Sequence, residues 1–578
     1  MGRRPCAAAN LDDESARARA GIRRTDFARR RVEIEPIEQL VARRWDVIVV
    51  GTGMGGATFG HALAQGGKSV LFCEKGASGL GGSGLRGNFA EALLSRSDAT
   101  SADMPPSLSR AGRCVDELVD ASGARPRRFV PYLGAGTGGS RALYRMALER
   151  LFPCDLTPRT HHREAVDSTL PEKWPISYED LAPYYEKAER LYRVRGNGDP
   201  LRDDRALGYV GASPEYSPVA RQLVGSLESK GLHPYHLPLA CEYSPGCPGC
   251  QGYLCANQCK NDSEKICVAP AVTRHAAVLL DRCEVVRLES SPDTVTAIVA
   301  RREGREYRFK GNLIVLAAGA LATPLLLLRS RSPQWPHGLA NASGLVGRNL
   351  MRHFVDLYAI YPKDPPEARL NLKEIGLNDL YMEPSSKLGS VQSFGAMIPA
   401  DVLVDTMHQQ LRRGALRPLA PAFGWVAPLM RFVLDRTFAR AVVLATIAED
   451  LPYRDNRVFE HVGSGAAAIS YRISEYDKRR ISHFRRRMRR VLDSYRYLLL
   501  KQAESNERLA HVCGTCRFGL DPRDSVLDRN NKAHGLDNLY VLDASFFPSS
   551  GGTNPALTIA ANALRVAERL GRAVDALP

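Results

Sequence analysis

Trp45-Asp46-Val47-Ile48-Val49-Val50-Gly51-Thr52-Gly53-Met54-Gly55-Gly56, running on through Ala57 to Gln65, is the stretch on which the fold turns. A β-branched run suited to a buried parallel strand passes straight into a glycine turn. A helical pattern follows, and Gly66-Gly67 ends it. Lys68 to Cys73 predicts a second strand, with Glu74 at its end. Together these make a βαβ unit of about 30 residues with G-x-G-x-x-G in the turn. Gly51 makes the tight turn, Gly53 lets backbone approach a pyrophosphate, and Gly56 lets the helix lie close to the strand; Gly55 sits in the same turn. The helix N-terminus offers free N–H groups and a partial positive charge to phosphates. Glu74 is placed to hydrogen-bond a ribose diol. The motif predicts an ADP-containing dinucleotide and does not by itself separate FAD from NAD.

Further along, Asn312 to Gly319 and Asn538 to Asp543 read as two more buried strands. Helical stretches Thr323 to Arg329 and Asn554 to Ala573 follow them. The expected class is therefore α/β, with a discontinuous Rossmann-type dinucleotide domain built from residues 45–154, 241–351 and 506–578. Residues 155–240 and 352–505, richer in Pro, Arg and aromatic residues, are expected to form a second, substrate-binding or cap domain. Residues 1–44 read as a polar N-terminal extension.

Composition agrees with a globular chain. The 578 residues are 44% apolar and 25% charged, which excludes a mostly disordered or fibrous protein. The longest uncharged runs, Gly311 to Leu328 and Ala544 to Leu564, are broken by Gly and Pro and read as core strand–turn–helix units, so no transmembrane span is expected. Arg3-Arg4 is followed by acids and further arginines and by no apolar h-region, so a cytoplasmic location is expected.

Several segments converge on one family. Gly138-Gly139-Ser140-Arg141-Ala142-Leu143-Tyr144-Arg145-Met146 is similar to a flavin-side loop, G-G-S-S-x-x-N-x-M. With it come Trp174-Pro175-Ile176-Ser177-Tyr178, Gly319 to Pro324, Ser343 to Asn349, His511-Val512-Cys513-Gly514-Thr515-Cys516, Asp543-Ala544-Ser545 and Thr553 to Thr558. In this order, from residue 45 to 570, they resemble the glucose–methanol–choline (GMC) oxidoreductases, FAD-dependent alcohol oxidases and dehydrogenases. Arg141 and Tyr144 depart from the loop's usual Ser and Asn.

The resemblance implies an FAD-binding domain plus a substrate domain with an antiparallel sheet backed by helices. It implies FAD contacts from Gly51, Gly53, Gly55, Gly56, Glu74, Gly138, Gly139, Ser140, Asp543, Ala544, Asn554 and Pro555. It also implies oxidation of a CH–OH group, with hydride passing to flavin N5. His511 would take the hydroxyl proton, since imidazole titrates near the working pH. Asn554 would hold the substrate oxygen by its amide; without the resemblance it would read as an ordinary helix N-cap. His353 and His534, beside loop signals, are expected to be structural or exposed.

Six of the 13 cysteines, Cys241, Cys247, Cys250, Cys255, Cys259 and Cys267, fall within 27 residues. Short gaps bounded by Gly and Pro suit iron–sulfur or zinc ligation, or a loop of free or disulfide-linked thiols. Some FAD sugar dehydrogenases of the family carry a three-iron cluster here on a similar spacing. Cys247, Cys250, Cys255 and Cys259 are then the candidate ligands, a cluster would pass electrons to an external acceptor, and sugar or polyol becomes the favoured alcohol. Cys513 and Cys516 read as packing residues.

The formal charge is +16, and half of it lies between Arg472 and Lys501, where 11 basic residues face 3 acidic ones. This fits an exposed arginine-rich helix: a solvated face, or a dock for an electron-acceptor protein, anionic lipid or an anionic substrate. It lacks interleaved aromatics, and no nucleic-acid partner is expected. Ala420 to Val443 alternates apolar and Arg residues, as core packing, a peripheral membrane contact or a cap on the active-site mouth would. Two rival functions stay open: an electron-transfer or docking flavoprotein subunit with an iron–sulfur cluster, and a redox-neutral flavoenzyme on the same fold.

Overall fold

The computed structural model describes residues 35–574 apart from 81–83, 90–103, 145, 204–206, 246, 248, 364–372, 384–385, 396–398, 401–402, 405–406, 409–410, 412–417, 419 and 439–440. Most of the expected N-terminal extension, and Arg145 of the flavin-side loop, lie outside the described residues.

Thirteen strands, in chain order, build the two main sheets. They are β1 (Arg44–Val50), β2 (Val70–Cys73), β3 (Tyr235–His236), β4 (Val278–Leu280), β5 (Cys283–Ser290), β6 (Val295–Arg302), β7 (Arg305–Leu316), β8 (Phe354–Tyr361), β9 (Ile375–Leu377), β10 (Gly389–Ser393), β11 (Val442–Ala448), β12 (Arg496–Leu500) and β13 (Leu539–Val541). The helices used below are α1 (Met54–Gln65), α2 (Tyr178–Leu191), α3 (Ala420–Phe438), α4 (Glu475–Val491) and α5 (Ala556–Val574).

The first sheet runs β4-β2-β1-β7-β6-β5, and β13 also pairs with β7. Its centre is parallel: Val47 to Val50 match Val70 to Cys73 on one side and Leu313 to Leu316 on the other, and Leu539 to Val541 add beyond β7. These strands are buried on both faces, as parallel strands between helices must be. Close packing of α1 on the sheet requires glycine. A Cβ on Gly56 would lie 2.3 Å from the Gly51 carbonyl oxygen, and one on Gly55 would lie 1.7 Å from that of Leu542. Helix α5 packs across α1 and α2, and the Tyr185 hydroxyl meets that of Thr558 at 2.8 Å. Thus α2, within the span expected to serve the substrate domain, lies on the dinucleotide side.

The second sheet runs β12-β8-β11-β10-β9-β3 and is antiparallel throughout. Its two faces bury different layers, because side chains alternate along each strand. Phe354, Tyr358, Ile360, Val391 and Leu444 pack with Ile481, Phe484 and Met488 of α4. Leu357, Ala359, Val443 and Ala445 face the other way, against Phe394 and Phe438.

Helix α4 is less exposed than its sequence suggests. Ser474 caps it, accepting from the Asp477 N–H at 3.0 Å. Arg480 is buried against Asp477, Arg485 binds Asp356 and Glu504, and Arg487 binds Glu383. The periodicity of the helix turns these arginines inward; Lys478, Arg479, Arg486, Arg489 and Arg490 remain outside.

Candidate active site

Two glycine loops meet at the end of β1. Gly51 has φ +96°, and a Cβ there would strike the Ala317 carbonyl at 2.5 Å. Gly139, at φ +57°, brings the flavin-side loop against Gly53, 3.0 Å from where its own Cβ would stand. Gly138 is also left-handed, and Ser140 Oγ accepts from the Gly134 N–H at 3.0 Å. Gly53 and Gly319 by contrast have nothing within 4 Å of a built Cβ. Gly53 caps α1 without any side chain covering the helix's free N–H groups. An open glycine surface at a bare helix N-terminus fits a pyrophosphate.

Glu74 turns back on this loop. Its carboxylate accepts from the Thr52 N–H at 3.0 Å, the Thr52 hydroxyl at 2.6 Å and the Gly76 N–H at 2.9 Å. That leaves about one acceptor position of roughly four for a ribose hydroxyl. Burial raises the proton affinity of Glu74 against these donors. Asp543 ties the C-terminal strand in, accepting from the Gly319 N–H and the Ser545 N–H, both at 2.8 Å. The Ala544 carbonyl accepts from the Gly514 N–H at 3.1 Å, and Pro555 leads into α5.

The catalytic candidates come together next to these loops. Backbone bonds between Met351 and Cys513, and from the His353 N–H to the Ala510 carbonyl, lay residues 351–353 beside 510–513. His353 and His511 thereby face each other, Nδ1 to Nδ1, at 2.9 Å. His511 has φ +56°, a strained conformation for a non-glycine residue, held by this pairing. Asn554 does not cap α5, which begins two residues later. Its Nδ2 lies 3.3 Å from His511 Nε2, and its Oδ1 accepts from Gln392 Nε2 at 2.7 Å. Gln392 also donates to Glu149, which takes further bonds from Tyr235 and, at 2.9 Å, from Thr553.

The hydrogen bonds fix the tautomer of His511 from both ends. His353 Nε2 faces the Gly551 carbonyl at 2.9 Å, and a carbonyl only accepts, so that nitrogen carries the proton. In neutral His353 the Nδ1 is then an acceptor, so His511 Nδ1 donates and His511 Nε2 is bare. From the other side, the Glu149 carboxylate orients Gln392, Gln392 orients Asn554, and the Asn554 amide donates to that same bare Nε2. Burial above all, with the positive charges of Arg141 and Lys373, holds the proton affinity of His511 well below the ordinary imidazole range. The ring is thus neutral, and its one unprotonated nitrogen, Nε2, accepts from Asn554 until a substrate hydroxyl takes that place. One Asn554 N–H remains free for a substrate oxygen.

His353 is therefore not the peripheral residue its sequence context suggested. It is almost fully buried at the centre of the site. Its only sequence signal is its place just after Gly347-Arg348-Asn349. Gln392 and Glu149 carry no local signal at all, since only the sheet brings them here. His534 is held by Ser525 at 2.9 Å, away from these groups. Arg141 donates to the Ala147 carbonyl at 3.0 Å and Tyr144 to the Tyr132 carbonyl at 2.9 Å, so both departures from the loop pattern are absorbed by nearby backbone.

The cysteine loop is compact but pairs its sulfurs two by two. Cys241, Cys250, Cys255 and Cys259 are buried in one small core with Leu237 and Leu239. The Cys250 thiol donates to Cys255, whose proton affinity falls to about 4 through that bond, the Lys260 and Cys259 N–H groups and the Lys260 charge. Cys259, coupled instead to Cys247, rises to about 11, chiefly through burial. Among the described residues no three His, Cys, Asp or Glu side chains converge as metal ligands would. Cys247, Cys250, Cys255 and Cys259 thus do not present three converging metal ligands among the described residues. Cys513 and Cys516 are buried in the main core.

A Rossmann-type glycine cradle joined to a neutral His–Asn pair beneath an antiparallel sheet defines a flavin-type oxidoreductase. The chain belongs to the GMC oxidoreductases, an FAD-binding family: its N-terminal family model matches residues 168–355 and its C-terminal model residues 461–563. Among its relatives is 6'''-hydroxyparomomycin C oxidase of Streptomyces lividus, 29% identical over 91% of each chain. Another is 2-methyl-1,2-propanediol dehydrogenase of Mycolicibacterium austroafricanum, 27% identical over 77% of this chain and 82% of that one. The crystal structure of pyridoxine 4-oxidase from Mesorbium loti shares the fold, with a TM-score of 0.60 and 21% identity over 92% of this chain and 99% of that one.

Proposed function

We propose that this protein oxidises an alcohol CH–OH group to an aldehyde or ketone. The observation that carries the reading is the unprotonated His511 Nε2, with the Asn554 amide beside it to be shared with a substrate oxygen. Bound FAD would supply the two-electron acceptor for the hydride. Gly51, Gly53, Gly55, Gly56, Glu74, Gly138, Gly139, Ser140, Asp543, Ala544 and Pro555 would shape its site. His511 Nε2 takes the hydroxyl proton while the hydride leaves the carbon, so the O–H and C–H bonds break as C=O forms. Asn554 donates to the oxygen as its negative charge develops. Its amide does this with no change of protonation.

The substrate class we favour is a polyol or sugar alcohol. The names of the relatives support this, among them 6'''-hydroxyparomomycin C oxidase, 2-methyl-1,2-propanediol dehydrogenase and the fructose dehydrogenase large subunit of Gluconobacter japonicus. The test is anaerobic mixing of the flavin-loaded protein with a panel of polyols, amino sugars and simple alcohols. Bleaching of the oxidised flavin spectrum with formation of carbonyl product is expected, and its loss in His511→Ala. Flavin that no alcohol in the panel bleaches would sink the proposal and leave the redox-neutral reading in its place.

A further inference from the structure

Helix α3 lies in the long excursion between the adjacent strands β10 and β11. Its inner face is seated: Ala427 is buried, and Phe438 packs on the sheet beside Leu357, Val443 and Ala445. That is the sheet face on which Gln392 stands, because Gln392 and Leu357 both pair with Ala445. The outer face of α3 is also apolar, and water covers it. Trp425 is 90% exposed, Leu429 66% and Phe432 62%, with Val426 and Val433 exposed beside them. At about 100° per residue these five fall within roughly 120° of one another, a single stripe. A helix apolar on both sides is normally covered on both, and an exposed stripe of this kind marks an interaction surface.

We propose that this stripe seats the enzyme on an anionic lipid bilayer. Charge complementarity favours that occupant: between residues 412 and 440 the sequence carries six arginines and one acidic residue, in a chain of net charge +16. Arg436 is exposed on the stripe itself, where its stem can lie along apolar surface while the guanidinium reaches phosphate. Trp425 and Phe432 sit along one edge of the stripe, and Trp is favoured where apolar and wet layers meet. The seat is peripheral: among the described residues no helix is long and apolar enough to cross a membrane. The proposal assumes nothing about the reaction.

The test is flotation of the full-length, flavin-loaded protein with phosphatidylcholine vesicles, with and without phosphatidylglycerol. Binding is expected on the anionic vesicles and is expected to weaken with salt. The variant Trp425→Ser/Leu429→Ser/Phe432→Ser should lose it by about tenfold or more, and Val462→Ser, an exposed apolar change elsewhere, should not. Of the four tryptophans Trp45 and Trp174 are buried and Trp335 is half-buried away from α3, so quenching of tryptophan emission by brominated lipid should report mainly Trp425 and fall to the level of the other three in Trp425→Phe. This second reading needs no triple variant to fold. Absence of flotation, or flotation that the triple variant leaves intact, would overturn the proposal. So would self-association without lipid binding, abolished by the same changes, since a second copy would then be the cover.

Discussion

The glycine cradle and the histidine corner lie side by side and are built by opposite means. The glycine motif of the cradle is local: Gly51 to Gly56 lie within one turn, and at Gly51, Gly55 and Gly56 backbone atoms stand too close for a side chain. The corner is remote: Glu149, His353, Gln392, His511 and Asn554 come from five separate segments, and its shape is set by side-chain hydrogen bonds. At Gly51, Gly55 and Gly56 the cradle leaves no room for a Cβ, whereas the corner rests on the direction of its hydrogen bonds.

The comparison can be broken in order of expected effect. Gly55→Ala puts a methyl 1.7 Å from the Leu542 carbonyl, between two rigid backbones. It should cost roughly 3 kcal/mol or more, seen as a lower melting temperature and lost flavin; a stable, fully loaded variant would refute the account of the cradle. His511→Ala should do the reverse, keeping fold and flavin while kcat falls by about 10²–10⁴-fold. Asn554→Ala should lower kcat by about 10²–10³-fold in stopped-flow flavin reduction. An effect confined to KM would show that its amide acts in ground-state binding.

His353→Phe keeps the volume but removes the tautomer lock, and kcat should fall by about tenfold or more with little change in KM. The variant also sharpens the pH behaviour. The base works unprotonated, and in the wild type its proton affinity lies well below about 6.5, the ordinary imidazole value. The acid limb of kcat/KM should therefore stay flat through that pH and fall only below it. Losing the neutral His353 Nδ1 acceptor removes a bond that strengthens when His511 is protonated, so the limb should move to lower pH. An unmoved limb would mean that His353 packs without orienting.

Much of the cradle was legible because its motif is spelled by neighbours in the chain, although the backbone that crowds it at Ala317 and Leu542 is remote. The β-branched run, the glycine spacing and Glu74 are all short-range. His511 and Asn554 were legible only through motif resemblance. Asn554, read without it as a helix cap, is in fact a hydrogen-bond donor ahead of the helix. His353 was misjudged and Gln392 missed because nothing local distinguishes them; the antiparallel register and the 351–513 backbone pairing put them in place. Burial likewise turned three of the seven arginines of α4 inward and gathered Cys241, Cys250, Cys255 and Cys259 into one small core.

The sequence by itself determined the βαβ turn, because the left-handed Gly51 and the contact of Gly56 with the Gly51 carbonyl leave glycine alone able to make it. Only the tertiary structure decided which nitrogen of His511 is bare. A tautomer depends on which donors and acceptors face the ring in space, and here they arrive from positions 149, 353, 392, 551 and 554.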